Sequence, residues 1–476
     1  MFDLNIQLDS EGSRHLYEQI YEYIKTGIRE GRLLKGEKLP STRSLAEYLS
    51  ISRSTVDYAY DQLLGEGYIE AKPSRGYFVC SMEGLFDIEE AKRTEGDPED
   101  VKGAEETEKN EAHGNDKGIL VDFSPNGVEF AAFPNNIWAR IARNTLIYGR
   151  KDILLSGDPK GDIDLRKTIC RYLHSSRGVS CSYEQVIVGA GNDYLLMLLS
   201  LILKSSKGIL FESPGYGRAY RIFKNAGFEI SFTGGDSCGL DISSARGDFD
   251  VIYSMPAHQF PTGVVMPIGR RGELLNWAKE KEGRYIIEDD YDSEFRFRGK
   301  PIASLQSLDK NGNVIYLGTF SKALAPAIRV SYMVLPERLL MKFEENAGFY
   351  SCTVPRLDQH ILEEFISGGY FERYLNKMRK LYRAKHTKLL EELYGLRGKF
   401  AVYGEDAGLH ILLEAKDGTK DAVLYDMARE VGVKVYPLSG YALKDPRESS
   451  TVILGFGGLE ISDISKGTEL LKKAWL

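Results

Sequence analysis

The sequence lacks long hydrophobic runs and paired cysteines, and each shortage excludes a class of protein. Its strongest apolar run, "YLLMLLSLIL" at residues 194–203, is about half the length of a bilayer-spanning helix and predicts a buried helix instead. The five cysteines form no closely spaced pairs along the chain, and residues 1–10 contain neither the basic nor the apolar segment of a secretory signal. We therefore expect a cytoplasmic protein with no membrane partner.

A basic excess is also missing, but the charge is unevenly distributed. The 476 residues carry a net charge of −7, whereas residues 83–118 alone contain 13 Asp or Glu against 5 Lys or Arg. This stretch has almost no aromatic residues after Phe86, which is the composition of a solvated segment. A chain of this length also exceeds one ordinary core. We predict a first domain at residues 1–80, an acidic flexible linker at 81–118, and a second domain at 119–476.

Three helical patterns and one alternating pattern fill the first 80 residues. Apolar residues recur every four positions over residues 16–28, and the stretches 41–49 and 53–67 predict two further helices. Residues 67–79, "GYIEAKPSRGYFV", alternate around a Pro-Ser-Arg-Gly turn, as a β-hairpin does. Three helices followed by a hairpin predict a winged helix-turn-helix.

The start of the third helix is the part that would reach DNA, because a recognition helix places its first residues against base edges. Arg53 could donate two hydrogen bonds to a guanine. Backbone contacts would come from Arg43, Ser54 and Thr55, and minor-groove contacts from Arg75 and Gly76. Each residue taken alone is more simply a solvated residue at a helix end or turn. The DNA hypothesis therefore depends on their arrangement.

Beyond the acidic stretch, short apolar runs alternate with helical segments up to about residue 336. Examples are "QVIVG", "GILFES", "RYIIED" and "NVIYLG". Such alternation predicts an α/β domain with a largely parallel sheet. The last 140 residues contain long helical stretches and strands near "LHILLEA" and "STVILGF", which predict a smaller α+β lobe.

One of these strands ends in acids and a tyrosine, and a lysine follows farther along. In "RYIIEDDYDSEF", Asp289 and Tyr291 would point to the same side, because alternate residues of a strand share a face. A carboxylate that keeps a pyridine nitrogen protonated, and a phenol beside the ring oxygen, are what pyridoxal phosphate requires. Lys322, in "TFSKALAPAIR", could form a Schiff base after losing a proton. A solvated strand end and an ordinary surface lysine are the alternatives for each feature alone.

Further residues could hold the phosphate and the ring of such a cofactor. "VIVGAGNDYLLMLL" predicts a strand, a turn and a helix whose first N–H groups can bind an anion. The N–H groups belong to Ala190, Gly191 and Asn192, the hydroxyl and guanidinium donors to Thr319, Ser321 and Arg329, and the aromatic ring for stacking to Tyr216.

These motifs together resemble two known families. Over about 65 residues the N-terminal series is similar to the winged helix-turn-helix of the GntR transcription regulators. That resemblance implies DNA contacts at Arg43, Ser52, Arg53, Ser54, Thr55, Arg75 and Gly76. Asp57 departs from relatives with a second basic residue there, which leaves the operator sequence unpredicted.

Residues from about 119 to the end resemble a fold-type-I aminotransferase, and "HQFPTG" is typical of the MocR/GabR-like branch of the GntR regulators. The resemblance implies pyridoxal phosphate as an internal aldimine on Lys322, with Asp289 at the pyridine nitrogen, Tyr291 near the ring oxygen and Tyr216 stacked on the ring. It also implies a head-to-tail homodimer in which each DNA module packs near the partner's effector domain.

Two departures from working aminotransferases bear on activity. Ile453, in "TVILGFGG", occupies the place where an arginine would bind a substrate carboxylate, and Arg447 is the nearest alternative. Ser156 stands where relatives often have an aromatic residue. Two hypotheses remain: a regulator that senses pyridoxal phosphate, alone or with an amino-containing ligand, and an active aminotransferase that carries a DNA-binding domain. We favour the regulator.

Overall fold

The computed structural model describes residues 6, 8, 15–65, 68–72, 75–80, 118–148, 151–297, 303–444 and 448–476. The chain divides into two compact units, residues 1–110 and 111–476. The predicted linker at 81–118 lies, apart from Gly118, outside the described residues. Within the described part of the chain, no helix is both long and apolar enough to cross a membrane.

The first unit contains three helices and a hairpin, which confirms the predicted winged helix-turn-helix. Its elements are α1 (Leu16–Arg29), α2 (Thr42–Leu49), α3 (Arg53–Gly65), β1 (Ile69–Lys72) and β2 (Gly76–Val79). Helix α2 begins where the sequence predicts, because the Ser41 side chain accepts a hydrogen bond from the Ser44 N–H. Ile20 and Ile24 of α1 are fully buried against Val56, Ala59 and other residues of one hydrophobic core.

The second unit contains the predicted α/β domain and smaller lobe. Its strands are β3 (Val121–Asp122), β4 (Val186–Gly189), β5 (Gly208–Glu212), β6 (Glu229–Thr233), β7 (Gly235–Asp236), β8 (Gly239–Leu240), β9 (Val251–Ser254), β10 (Tyr285–Asp290), β11 (Val314–Thr319), β12 (Ser331–Val334), β13 (Phe400–Tyr403), β14 (His410–Ala415), β15 (Val433–Lys434), β16 (Tyr436–Pro437) and β17 (Thr451–Gly455). Its helices are α4 (Asn135–Tyr148), α5 (Ile163–Arg177), α6 (Asn192–Ile202), α7 (Gly217–Asn225), α8 (Ile268–Lys279), α9 (Glu337–Asn346), α10 (Arg356–Ser367), α11 (Tyr370–Leu393), α12 (Asp421–Glu430) and α13 (Ile461–Trp475).

A seven-stranded sheet forms the centre of this unit, in the order β4-β12-β11-β10-β9-β5-β6. Strand β12 is antiparallel to both of its neighbours, and the other pairs are parallel. Strands β9, β10 and β11 are buried along nearly their whole length, as expected for a sheet covered on both faces. The carboxyl ends of β4, β5, β9, β10 and β11 therefore meet at one edge, where α/β sheets bind ligands.

The smaller lobe contains an antiparallel sheet in the order β13-β14-β17-β16. On β17, Val452 and Leu454 face the hydrophobic core, whereas Ile453 pairs with Leu412 and lies on the other face. The lobe contacts the large sheet through His410, whose Nε2 lies 3.0 Å from the Pro261 carbonyl oxygen after β9. The edge that carries the strand ends is therefore covered in part by the smaller lobe.

Candidate cofactor site and DNA-contacting surface

The predicted cofactor residues all lie on segments at this one edge of the large sheet. Residues 190–192 follow β4, Tyr216 follows β5, and Asp289 and Tyr291 lie at and just beyond the last residues of β10. Thr319 ends β11, and residues 321–329 connect β11 to β12. Motifs that are far apart in the chain thus lie close together, because the parallel strands that precede them end at the same edge of the sheet.

Asp289 is a buried carboxylate with two donors. Its Oδ2 accepts a hydrogen bond from Asn192 Nδ2 at 2.9 Å and another from the Tyr253 hydroxyl. Burial raises the pKa of Asp289 to about 6, against the lowering effect of these two hydrogen bonds. Asp290 points to the opposite face, where Arg177 binds its carboxylate at 2.8 Å. Asp289 is therefore the carboxylate of this strand that faces the site.

The backbone N–H groups of the turn at residues 190–192 form more hydrogen bonds within the chain than the sequence predicts. The Ala190 N–H donates to Thr353 Oγ1 at 2.9 Å, and the Gly191 N–H donates to the Gly189 carbonyl oxygen at 2.8 Å. Asn192 begins α6, whose first turn has N–H groups without intrahelical acceptors, as at any helix N-terminus. Two of the three amides predicted to bind phosphate are thus paired within the chain, and Asn192 contributes its side chain to Asp289 as well.

Arg329 lies directly over this turn. Gly191 has a φ of +93°, and a Cβ added to it would lie 2.1 Å from Arg329 Nη2. The guanidinium is half exposed, and its Nη2 lies 3.7 Å from Asp193 Oδ2 in the first turn of α6. A glycine, a helix N-terminus and an arginine thus form a cradle for an anion.

Two hydroxyl groups stand beside the cradle at the end of β11. Thr319 Oγ1 accepts hydrogen bonds from the Ser321 N–H at 3.1 Å and from Ser331 Oγ at 2.9 Å. Ser321 Oγ is buried and has no hydrogen-bond partner among the described residues. A buried hydroxyl without a partner is costly, so its presence favours a ligand that supplies one.

Lys322 is half buried next to these groups. Its Nζ donates to the Pro125 carbonyl oxygen at 2.9 Å. Burial, followed by His258 and then by the positive charge of Lys322, lowers the pKa of His410 to about 3. The lysine amine is therefore close to the strand ends and to the smaller lobe at once.

Tyr291 and Tyr216 complete the set. The Tyr291 hydroxyl lies 2.9 Å from His258 Nδ1. Burial, followed by Asp292 and Asp289, raises the pKa of Tyr291 well above its usual range, so the phenol keeps its proton. Tyr216 is half buried in the same hydrophobic cluster as Tyr291.

Sequence reasoning missed three of the residues in this site. The Tyr253 hydroxyl donates to Asp289, His258 Nδ1 lies beside the Tyr291 hydroxyl, and Asp292 binds His258. His258 and Asp292 belong to the motifs "MPAHQFPTG" and "EDDYDSEF", which carried the signal, whereas Tyr253 reads as an ordinary buried strand residue.

The donor set fits pyridoxal phosphate. The unpartnered Ser321 hydroxyl and the space over Gly191 beside Arg329 suit a dianionic phosphate. A buried carboxylate at Asp289 suits a protonated pyridine nitrogen. Within the described residues, no group of three or more His, Cys, Asp or Glu is arranged to hold a metal ion.

The residue at the predicted carboxylate position is buried and apolar. Ile453 is fully buried and faces Leu412 and Tyr436 across the small sheet. Arg447, the alternative cation, lies outside the described residues. At this position of β17, Ile453 therefore supplies no positive charge that could bind a substrate carboxylate.

In the first unit, the predicted DNA-contacting residues lie at helix starts and on the hairpin. Ser52 Oγ lies 2.9 Å from Ser54 Oγ and 2.7 Å from Thr55 Oγ1, at the start of α3. Arg53 is 67% exposed and pairs loosely with Asp57, at 3.5 Å. Arg43, on α2, is also exposed and pairs with Glu47 at 3.1 Å. Exposed pairs of this kind contribute little, so both arginines can exchange their partners for DNA.

The hairpin turn carries the last two predicted contacts. The Arg75 N–H donates to the Lys72 carbonyl oxygen at 2.9 Å, and Gly76 has a φ of +100° at the start of β2. Residues 73 and 74 of the same turn lie outside the described residues. Arg75 and Gly76 thus belong to the tip of the wing, as the sequence predicts.

Known proteins match both units. Residues 16–79 match the family of bacterial regulatory proteins of the gntR type, and residues 121–450 match aminotransferase class I and II. Among solved structures, a multiple substrate aminotransferase from Thermococcus profundus has a TM-score of 0.67 at 24% identity, covering 75% of this chain and 92% of that one. This likeness shows the fold of the second unit.

Relatives that match along the whole chain carry the name of regulators. An uncharacterized HTH-type transcriptional regulator, YdeL of Bacillus subtilis, is 40% identical, covering 97% of this chain and 96% of that protein. The probable rhizopine catabolism regulatory protein MocR of Rhizobium meliloti is 33% identical, with 98% and 95% covered. The HTH-type pyridoxine biosynthesis transcriptional regulator PdxR of Corynebacterium glutamicum is 29% identical, with 96% and 95% covered. The chain therefore belongs to the MocR-like transcription regulators, which join a GntR helix-turn-helix to an aminotransferase class I and II domain.

Proposed function

We propose that this regulator senses pyridoxal phosphate, alone or with an amino-containing ligand, through a Schiff base on Lys322. Occupancy of the site changes how the protein binds operator DNA in the cytoplasm. The observation that carries the proposal is the buried Ser321 hydroxyl without a partner, one residue before a lysine that lies at the strand ends with Asp289. When bound, the cofactor supplies an aldehyde for the lysine and a ring that withdraws electrons.

The residues of this chain would each perform one binding task. Asp289, held by Asn192 and Tyr253, would keep the ring nitrogen protonated. Arg329 and Ser321 would bind the phosphate, and Tyr216 would cover the ring. The names of two kinds of relatives support a ligand of this class: PdxR is a regulator of pyridoxine biosynthesis, and a Thermus thermophilus aminotransferase was solved with a phosphopyridoxyl-leucine compound.

Sensing requires that the ligand bind one arrangement better than another. The Lys322 amine bonds the Pro125 carbonyl oxygen, and Pro125 belongs to the segment that packs on the smaller lobe, where the Gly455 N–H donates to the Phe123 carbonyl oxygen. A lysine that forms a covalent bond to the cofactor gives up this ammonium hydrogen bond. Ligand binding would thereby change the contact between the large domain and the smaller lobe.

Turnover of amino acids is the second candidate function, and Ile453 argues against it. A fully buried isoleucine cannot replace an arginine that binds a substrate carboxylate in a bidentate manner. We therefore propose a sensor rather than an enzyme.

A homodimer accounts for an apolar surface on the second unit. Leu146, Ile147 and Tyr148 at the end of α4 are 65%, 60% and 81% exposed, and Leu154 and Leu155 close behind are 85% and 66% exposed. Exposed apolar residues grouped in this way mark an interaction surface. The head-to-tail homodimer implied by the family resemblance would cover them.

The decisive experiment removes the amine. We expect Lys322→Ala to abolish the absorbance of lysine-linked pyridoxal phosphate and the effect of the cofactor on DNA binding. Lys342→Ala, which removes a partly buried lysine of α9 that donates to Ser205 Oγ, is the matched control. A Lys322→Ala protein that still responds normally to pyridoxal phosphate would refute the sensor.

A second assay separates the two candidate functions. The protein is incubated with a panel of amino acids and 2-oxoglutarate, and the amino product is measured. Rapid turnover would favour the enzyme and contradict the sensor.

A further inference from the structure

A buried histidine and aspartate lie behind the Tyr291 hydroxyl. The side chains of His258 and Asp292 are 1% and 3% exposed, and His258 Nδ1 lies 3.1 and 3.0 Å from the two carboxylate oxygens. The Tyr291 hydroxyl oxygen lies 2.9 Å from the same nitrogen. One ring nitrogen thus faces three oxygen atoms.

The partners decide where the imidazole proton lies. A lone pair on Nδ1 would face a buried carboxylate, which is unfavourable, so Nδ1 must carry a proton directed at Asp292. A protonated Nδ1 cannot accept a hydrogen bond from Tyr291. The Tyr291 oxygen therefore shares the Nδ1 proton as an acceptor, and its own proton must point elsewhere.

The other groups around Tyr291 leave that proton available. Among the described residues, His258 Nδ1 is the polar atom recorded within hydrogen-bond distance of the Tyr291 hydroxyl, and as a donor it leaves the Tyr291 proton without an acceptor. Phe260 packs against the Tyr291 ring edge-on, with 6.1 Å between ring centroids. The nearby groups that titrate or carry charge are Asp289, Asp290, Asp292, His410 and Lys322.

The imidazole is also fixed in place by its surroundings. Gly408 has a φ of +79°, and a Cβ added there would lie 1.9 Å from His258 Cε1. The ring of His410 lies on the smaller lobe, 5.1 Å from the His258 ring between centroids. His258 is therefore packed between Gly408 and His410, and its position next to Gly408 requires a residue without a side chain there.

We propose that His258 and Asp292 form a positioning pair that holds the Tyr291 hydroxyl as a hydrogen-bond donor toward the ring oxygen of bound pyridoxal phosphate. The pair acts through Tyr291 and does not touch the cofactor itself. This inference depends on the proposed function, because it assigns Tyr291 to the same ligand. Its consequence is that the pair sets the pH at which the lysine-linked cofactor loses its proton.

The direction of the effect follows from charge. A donor at the ring oxygen stabilises its anionic form, which predominates after the lysine-linked nitrogen loses its proton. Loss of the donor therefore raises the midpoint of the absorbance titration. Loss of one hydrogen bond to a charged group should raise this midpoint by about one to two pH units.

The test is a double-mutant cycle on the cofactor-loaded, full-length protein. Tyr291→Phe removes the donor, and Asp292→Leu frees Nδ1 to accept the Tyr291 proton, so each should raise the midpoint by a similar amount. The double variant should shift no further than Tyr291→Phe alone. Asp292→Asn keeps an acceptor oxygen for Nδ1 and should shift less than Asp292→Leu.

A control and a cofactor-free measurement accompany the cycle. Asp250→Leu removes a carboxylate at the amino end of β9, where it binds Lys281 at 2.8 Å, and should leave the midpoint unchanged. In the cofactor-free protein, ¹⁵N spectra should find the His258 proton on Nδ1 in the wild type and on Nε2 in Asp292→Leu.

Additive shifts in the cycle would overturn the positioning role, because the pair would then act independently of Tyr291. An Nε2 proton in the wild-type spectrum would overturn it as well. If the wild-type protein binds no pyridoxal phosphate on Lys322, the proposed function fails and this inference fails with it. If the cofactor binds normally and only the cycle is additive, the sensor stands and the positioning pair does not.

Discussion

Gly191 offers the sharpest test of the anion cradle. Its φ of +93° and ψ of 166° lie in a region that is essentially restricted to glycine, so Gly191→Ala should cost about 1–3 kcal/mol of stability. The new Cβ would also overlap Arg329 Nη2, which the structure places 2.1 Å away. Because this guanidinium ends a flexible chain, it would move aside and leave the cradle.

The loss of affinity can be worked out from the displaced arginine. A hydrogen bond to a charged group contributes about 1.5–3 kcal/mol, and the half-exposed Arg329 should contribute toward the lower end. We therefore expect pyridoxal phosphate to bind Gly191→Ala about 10- to 30-fold more weakly. Fluorescence titration with the cofactor measures this directly.

The control places the same substitution where nothing opposes it. A Cβ at Gly269, in α8, would meet no atom within 4 Å. Gly269→Ala should therefore keep the wild-type affinity. Unchanged affinity in Gly191→Ala, with the protein folded, would refute the placement of the phosphate under Arg329.

Three further predictions concern a carboxylate, the DNA surface and a cysteine pair. The pKa of Asp289 is raised from 3.8 to about 6 in the folded protein, so the cofactor-free protein should lose stability as the pH rises through this window. The free energy of unfolding of Asp289→Asn should therefore exceed that of the wild type by about 2–3 kcal/mol at pH 8 and equal it below pH 4. Chemical unfolding that finds the same difference at every pH would contradict this. Arg53→Ala should weaken binding to DNA selected by the wild type about 10- to 100-fold without affecting cofactor binding. Asp57→Asn should strengthen binding to the same DNA. Gel-shift titrations that find full DNA affinity in Arg53→Ala would rule out the assigned recognition helix. The sulfur atoms of Cys170 and Cys181 lie 3.5 Å apart, so mild oxidation with diamide should join them, and peptide mapping that finds both thiols free would contradict the contact.

The fold could be predicted from the sequence because its patterns are local. Parallel strands buried on both faces read as continuous apolar runs, and "RYIIED" and "NVIYLG" became β10 and β11. Strand β6 has no such run, because it lies at the edge of the sheet and is only partly buried.

The choice between two adjacent acids could also be made from the sequence. The two-residue period of a strand placed Asp289 with Tyr291, and the structure puts Asp290 on the other face with Arg177. Asp290 binds Arg177, which is 113 residues away in the chain, so the local sequence pattern could not show which residue Asp290 pairs with.

Contacts between distant segments were beyond the sequence. Thr353 satisfies the Ala190 N–H from 163 residues away, which a motif of strand, turn and helix cannot reveal. Cys170 and Cys181 are 11 residues apart, and only the path from α5 back to β4 brings their sulfur atoms together. Spacing rules for cysteines describe metal sites and thus gave no signal here.

The chain enters the second unit beside its lysine. Strand β3 pairs with β15 at the start of the described part of this unit, and only two residues separate it from Pro125. The carbonyl oxygen of Pro125 holds the Lys322 amine. A displacement of β3 along its own direction would therefore move the acceptor of that hydrogen bond. The segment through which the chain enters the second unit thus contacts the lysine to which we propose the ligand is attached.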